Sequence, residues 1–281
     1  MADEVAKLPI SNVTQRIITA AVVGPLVVIA VLAGGLAFTF VVTVFAVVGI
    51  LEFYMLAHDR PSQGSAVVGV PTLILVILAF HFGEPAFSLL FLAISAIVTF
   101  LLETFRHRTD IRRSLFQVGM TLAGVLYLGF PSGFLVGLRG LPNGGLWILL
   151  ILCVTWGTDS FAYVGGRLLG RTKLAPKLSP KKTVEGAIVG VIGGIVPALI
   201  LLAYTDTISL GTLVFVLIGP LVAILGDLFE SGLKRFFEVK DSHIAGLDLL
   251  PGHGGILDRT DALLLVAVFA YFAFMLLGLR H

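Results

Sequence analysis

Four ionisable residues crowd into the nine positions from His253 to Asp261, within "PGHGGILDRTD", and an apolar stretch of helix length follows at once. Carboxylates beside a glycine-rich loop and a guanidinium suit the binding of a polyphosphate through Mg²⁺. That ion takes hard oxygen ligands, typically one or two carboxylates plus substrate phosphates. Arg and Lys then neutralise the remaining anionic oxygens. Gly252, Gly254 and Gly255 let backbone N–H groups approach a phosphate closely. His253, between them, suits donation to phosphate or acid–base work, and equally a structural turn. Asp258 and Asp261 are three apart and share a helix face, where a carboxylate also complements the positive helix terminus. For Asp258 a cap and a metal ligand are both open.

A second polar group precedes this one. Asp227, Glu230, Ser231 and Lys234 recur at helical spacing and form one stripe, followed by Arg235, Lys240 and Asp241. A third lies upstream, in "WGTDSFAYVGGRLLGRTKLAPKLSPKKTVEG" from Trp156 to Gly186. Asp159 falls inside an apolar run, where an ionisable group costs about 2.5–3.5 kcal/mol on insertion scales and faces a bundle interior or cavity. On a helix it shares a face with Tyr163 and Gly166. Ser179, Lys181 and Lys182 surround Pro180 in a turn that gathers cations. Those lysines read as an anchor for anionic headgroups or, coupled to Asp159 and the downstream groups, as a phosphate site. "GGRLLGRT" (165–172) has the spacing of a phosphate-binding P-loop, but Arg171 stands at its lysine position and no strand precedes it, so it is set aside.

The elements that position these groups are membrane helices. Of 281 residues 57% are hydrophobic, 13% are charged, and mean hydropathy is +1.04; soluble domains carry about 25% charged residues. Nine apolar runs approach the ~20 residues that cross a bilayer as helix: roughly 17–35, 36–57, 66–82, 86–102, 115–138, 146–168, 184–204, 210–231 and 262–279. The first two meet at Gly34-Gly35. Barrel strands would alternate in shorter segments. With the N-terminus inside, 17 of the 19 Lys and Arg residues fall on the inner side, leaving Arg139 and Arg280 outside, as the positive-inside rule requires. The expectation is an all-α polytopic membrane protein of nine transmembrane helices, N-terminus cytoplasmic and C-terminus outside. It forms a single integral domain over 1–281, in which 17–138 contributes helices and 146–279 the site. The first residues carry acidic groups and no small-residue cleavage signal, so no cleaved leader is expected. The single Cys153 sits within a span as a small hydrophobe. Glu52 and Glu103 stand near inner helix ends, where contact with the loops and interfacial snorkelling account for them equally.

The polar segments together resemble those of the phosphatidate cytidylyltransferases, also called CDP-diacylglycerol synthases. The signature is carried by Ser231-Gly-Leu-Lys234-Arg235, Lys240-Asp241 and His253-Gly-Gly-Ile-Leu-Asp258-Arg259-Thr-Asp261, with "WGTDSFAYVGGRLLG" and "LSPKKTVEG" similar as well. One departure is a longer connection, Ser242 to Leu250, between Lys-Asp and the glycine loop. The resemblance implies transfer of the cytidylyl group of CTP to phosphatidic acid, with Mg²⁺ and potassium beside it. It implies membrane lipids and a second copy of the chain as partners, and no nucleic acid. Asp227 and Asp258 are then the expected metal pair, with Asp241 and Asp261 as further ligands or orienting groups. Lys234, Arg235 and Arg259 would hold phosphates, helped by Ser179, Lys181 and Lys182. The implied location is the cell (inner) membrane, with the site on its cytoplasmic face. A CDP-archaeol synthase or a polyprenol kinase would use comparable chemistry on another lipid. A cation-coupled transporter would need a relay through the membrane centre, whereas these charges gather at one surface.

Overall fold

The computed structural model describes residues 24–56, 63–106, 111–239 and 255–278. Ten helices and one small hairpin make up these residues. The chain enters through α1 (Gly24–Ala33), then α2 (Gly35–Leu56), α3 (Gln63–His81), α4 (Phe87–Arg106) and α5 (Ile111–Gly124). A π-helical turn, Val125–Gly129, joins α5 to α6 (Phe130–Arg139) in one continuous rod. There follow α7 (Gly144–Leu169), the strands β1 (Lys173–Ala175) and β2 (Ser179–Thr183), and then α8 (Val184–Thr205), α9 (Leu210–Phe236) and α10 (Leu257–Leu277).

Seven of the described helices are long and apolar enough to cross a membrane, and Gly24–Ala33 and Ser65–His81 are shorter apolar helices. The protein is an all-α, multi-pass membrane protein. Apolar side chains such as Leu36, Leu90, Ile97 and Leu168 stand exposed on the bundle, as lipid-facing residues must. The break expected at Gly34-Gly35 is present: both glycines have positive φ, +64° and +50°, which side-chain-bearing residues rarely adopt. The Arg139 guanidinium crosses the break, its Nε donating to the Val31 carbonyl at 2.7 Å. The otherwise unsatisfied C-terminal end of α1 is thereby capped.

The tightest packing is between α7 and α8. In lipid, association rests on close backbone approach rather than on expulsion of water, so small residues line such seams. Gly157 of α7 meets the Gly193 carbonyl, and Gly186 and Gly190 of α8 lie against Ala162, Gly166 and the Thr158 carbonyl. This approach brings the hairpin that precedes α8 onto the end of α7. Thr183 caps α8, its side chain accepting from the Gly186 N–H at 3.2 Å. Glu185 accepts from the backbone N–H groups of Arg171 and Thr172 at 3.0 and 3.1 Å, fastening the loop before β1. Ser179–Thr183 is therefore a strand, not the turn around Pro180 that the sequence suggested: it pairs antiparallel with β1, Lys173 opposite Thr183 and Ala175 opposite Ser179.

A Cβ at Gly190 would lie 2.7 Å from the Ala162 Cβ and 2.8 Å from the Thr158 oxygen. Gly190→Val is expected to lose about 1–3 kcal/mol or more through overpacking, read as a lowered Tm in detergent. Gly119→Val, at a helical glycine with open space around it, is expected to leave Tm nearly unchanged.

Candidate active site

One end of the bundle gathers the charged residues. The C-terminal halves of α7 and α9, the hairpin and the N-terminus of α10 meet there. Helix α9 runs to Phe236, so Lys234 and Arg235 are helical, and α10 begins at Leu257, so Asp258, Arg259 and Asp261 occupy its first turns.

The first charged group involves Lys182, which pairs with Asp227. Alternate residues of a strand point to opposite faces: Lys182 turns inward to α9, while Lys181 is exposed. Asp227 keeps 34% of its side chain accessible, so it can still meet a ligand. Asp159 and Asp261 lie within electrostatic reach of Asp227 and of each other, with Lys182 the neighbouring cation. Arg259 acts on Asp159 electrostatically as well. Asp261 is buried, and one of its oxygens accepts from the Ala262 N–H at 2.7 Å.

The second group adjoins the first. The Lys234 ammonium sits between Glu230, at 2.7 Å, and Asp258, at 2.9 Å. The other Asp258 oxygen accepts from the Gly255 N–H at 3.2 Å. Asp258 is thus held by Lys234 and by the backbone, whereas Asp261 shares the neighbourhood of Asp227. Glu230 and Asp258 thus share one ammonium inside the bundle. One Glu230 oxygen and the Tyr127 hydroxyl, both buried, have no hydrogen-bond partner among the described residues. Tyr127 belongs to the π-helical turn, a feature frequent at functional sites. Its ring packs against Phe53 and Phe229 at 5.9 and 5.4 Å, and Asp258, Asp261 and Glu230 all act on it electrostatically.

Glu52 of α2 decides where α10 starts. Buried to 4% exposure, it accepts from the backbone N–H groups of Ile256 at 2.9 Å and Leu257 at 2.7 Å. The cap of α10 is therefore supplied by a residue 204 positions away rather than by the helix's own N-cap, Ile256. Neither periodicity nor a local motif could have paired these segments, though a carboxylate near a helix end was a visible signal.

The other expected residues are distributed as follows. Arg235 is exposed, its Nε donating to the Leu178 carbonyl at 3.4 Å, and so ties α9 to the hairpin. Ser231 lies on α9 and Ser179 opens β2, both half-buried. Gly255 is buried at the foot of α10. Lys240, Asp241, His253 and Gly254 lie outside the described residues.

Beside the charged groups a cavity of about 370 Å³ opens among α1, α2, the π turn, α6, α7 and α10. Arg259 and Thr260 form its polar end. Arg259 therefore belongs both to the charged cluster and to an apolar chamber.

The donor set suits Mg²⁺ in a particular way. Among the described residues no three acidic, His or Cys side chains stand arranged as a ready cage. Magnesium commonly takes only one or two carboxylates and completes its shell with substrate phosphates and water. An accessible Asp227 beside Asp261, with cations alongside, meets that requirement.

Comparison with known proteins identifies the family. The model of the cytidylyltransferase family matches residues 14–277. The chain belongs to that family. It is 33% identical to the phosphatidate cytidylyltransferase of Bacillus subtilis over 271 residues, covering 93% of this chain and 97% of that protein. The enzyme of the same name from Brucella abortus is 34% identical, with 93% of each chain covered. That from Thermotoga maritima is 33% identical, covering 95% of this chain and 97% of that protein. Membership makes this chain a nucleotidyltransferase.

Removing Lys234 while keeping its partners leaves two buried carboxyl groups without their shared cation. Lys234→Met is expected to cost about 3–5 kcal/mol, seen as loss of folded protein or a large drop in Tm. The double variant Lys234→Met/Glu230→Gln is expected to recover part of that loss, because an amide N–H can then donate to Asp258 with no second ionisable carboxyl beside it. Equal Tm values for the single and double variants would show that the trio is not coupled.

Proposed function

We propose that the protein transfers the cytidylyl group of CTP to phosphatidic acid, giving CDP-diacylglycerol and pyrophosphate. This reading rests on the convergence of Lys182, Asp227, Asp261 and Arg259 at one end of an apolar bundle, in a chain the family model matches over residues 14–277. A lipid phosphate oxygen attacks the α-phosphorus of CTP, the bond from that phosphorus to the bridging oxygen breaks, and pyrophosphate leaves. The nucleophile is already anionic, so no strong general base is required. What the protein must supply is in-line positioning and compensation of charge.

Arg259, joining cluster and cavity, takes the lipid phosphate. Lys182 stands where the triphosphate would lie and, on ligand arrival, exchanges part of its pairing with Asp227 for phosphate oxygens. Lys234 holds Asp258 in place and offsets charge at the foot of α10. His253 and Gly254 belong to the connection leading into Gly255 and are assigned to phosphate contact, as are Lys240 and, from the hairpin, Ser179. Mg²⁺ would be held by Asp227 and Asp261, with Asp258 and Asp241 as supporting carboxylates; when bound it neutralises the polyphosphate and stabilises charge on the leaving group. In the membrane, the reading places the chain as nine spans with the N-terminus cytoplasmic. The charged end then lies on the cytoplasmic face of the cell membrane, where CTP is available.

Purified protein in detergent with Mg²⁺ and CTP is expected to convert phosphatidate to CDP-diacylglycerol and pyrophosphate, identified by mass. Archaeal ether phosphatidate and a polyprenol, offered in parallel, are expected to react poorly. Asp227→Asn and Asp261→Asn are expected to lower kcat by about 100-fold or more, in line with the loss of a preorganised charge-stabilising group. A folded sample that forms no CTP-dependent product from any of the three lipids contradicts the reading. Turnover with only one of the other lipids keeps the chemistry and changes the substrate.

A further inference from the structure

The outward side of the hairpin carries charge that the site does not use. From Phe161 to Thr183 the chain holds six Lys and Arg residues and no Asp or Glu. Lys182 pairs with Asp227; the other five, Arg167, Arg171, Lys173, Lys177 and Lys181, are exposed. Strand geometry explains the division. Lys181 and Thr183 are two apart on β2 and share a face, and Lys173 stands directly opposite Thr183. Lys173 and Lys181 therefore lie on the face away from Lys182. None of the five side chains is ion-paired with a described residue. Glu185, the acid nearest in sequence, is already engaged by the backbone N–H groups of Arg171 and Thr172.

Two further observations say what this face meets. Large apolar side chains flank the cations: Leu168 and Leu169 at the end of α7 and Phe236 at the end of α9 are all exposed. Basic residues beside exposed apolar ones suit the boundary of headgroups and acyl chains, whereas a water-soluble anion has no use for the apolar part. The hairpin also joins the ends of two apolar spans, α7 and α8. Its longer strand of five residues spans only about 17 Å at ~3.3 Å per residue, which keeps the cations beside the bilayer surface. Orienting the chain by the positive-inside rule needs cations near span ends in any conformation. An ordered, acid-free face fastened by Glu185 and by the Arg235–Leu178 hydrogen bond is more than that rule asks.

We propose that the outward face of the hairpin is a docking surface for anionic headgroups of the surrounding leaflet, and that docking steadies β2 and so keeps Lys182 against Asp227. The docking stands apart from the reaction; its effect on Lys182 rests on the function proposed above. The partner is a lipid surface, chosen by charge complementarity and by the apolar flanks.

The test uses the full chain in phosphatidylcholine vesicles with spin-labelled phosphatidylglycerol, an anionic lipid that lacks the terminal phosphate needed for the reaction. Lys173→Gln/Lys177→Gln is compared with Arg112→Gln/Arg113→Gln, which removes two exposed cations of α5. The hairpin variant is expected to lose about fivefold or more of the preference for phosphatidylglycerol over phosphatidylcholine, the factor that one cation near an anionic surface contributes. The α5 variant should lose much less. An equal loss in both variants, or none in the hairpin variant, overturns the docking surface. When phosphatidylglycerol replaces part of the phosphatidylcholine, wild-type turnover of phosphatidate is expected to rise about fivefold, at the weak end of usual couplings. Lys173→Gln/Lys177→Gln should keep the wild-type rate in phosphatidylcholine and show no such rise. A rise retained in that variant overturns the effect on Lys182, and a raised KM for CTP in both kinds of vesicle assigns the face to the nucleotide instead. Wild-type protein that makes no CDP-lipid contradicts the reaction, and the spin-label comparison still decides the docking.

Discussion

The contact between Glu52 and the first turn of α10 is the constraint on which the charged end depends. A helix N-terminus exposes N–H groups without intrahelical partners and carries partial positive charge. Buried in a membrane bundle, those groups need an acceptor, and a buried carboxylate needs donors. Glu52 and the N–H groups of Ile256 and Leu257 satisfy both requirements at once. The result fixes the axial position of α10. Asp258, Arg259 and Asp261 follow within four residues of Leu257, so the same two hydrogen bonds set where they face. It also ties the first half of the chain to the second, because α2 contributes walls to the cavity and the cap to the site helix.

From that anchor the site divides its charges by task. Lys234 is shared between Glu230 and Asp258 and holds both carboxyl groups in place. Lys182 pairs with a partly accessible Asp227 that an incoming phosphate and cation can recruit. In the proposed function such an arrangement separates carboxylates that build the site from carboxylates that would bind. Arg259 stands at the border of the polar and apolar regions, where a reaction between a water-soluble nucleotide and a membrane lipid must occur.

Much of this was legible in the sequence, and the reasons are physical. Long apolar runs declare spans because the bilayer requires about 20 helical residues, and the helices follow those runs closely. The carboxylates of α9 and α10 were visible through helical spacing beside a glycine loop. Other features were hidden for equally definite reasons. Whether Lys181 or Lys182 faces the site depends on a strand's alternation, and the segment looked like a turn because of Pro180. Asp261, rather than Asp258, shares the surroundings of Asp227 because Lys234 reaches across from α9, a tertiary fact. Tyr127 lay in a plain apolar run, with nothing to mark the π-helical turn. The role of Glu52 required a pairing across 204 positions, which no local pattern carries.

The central claim is that an acceptor from α2 holds the beginning of α10 in place. Hydrogen–deuterium exchange of the backbone amides over residues 255–261, compared between wild type and Glu52→Ala, tests it most directly. Loss of a buried acceptor worth about 1–3 kcal/mol predicts exchange faster by about 5- to 100-fold in that segment, with α9 unaffected and Glu52→Gln intermediate. Unchanged protection of 255–261 in a folded Glu52→Ala protein would contradict the account.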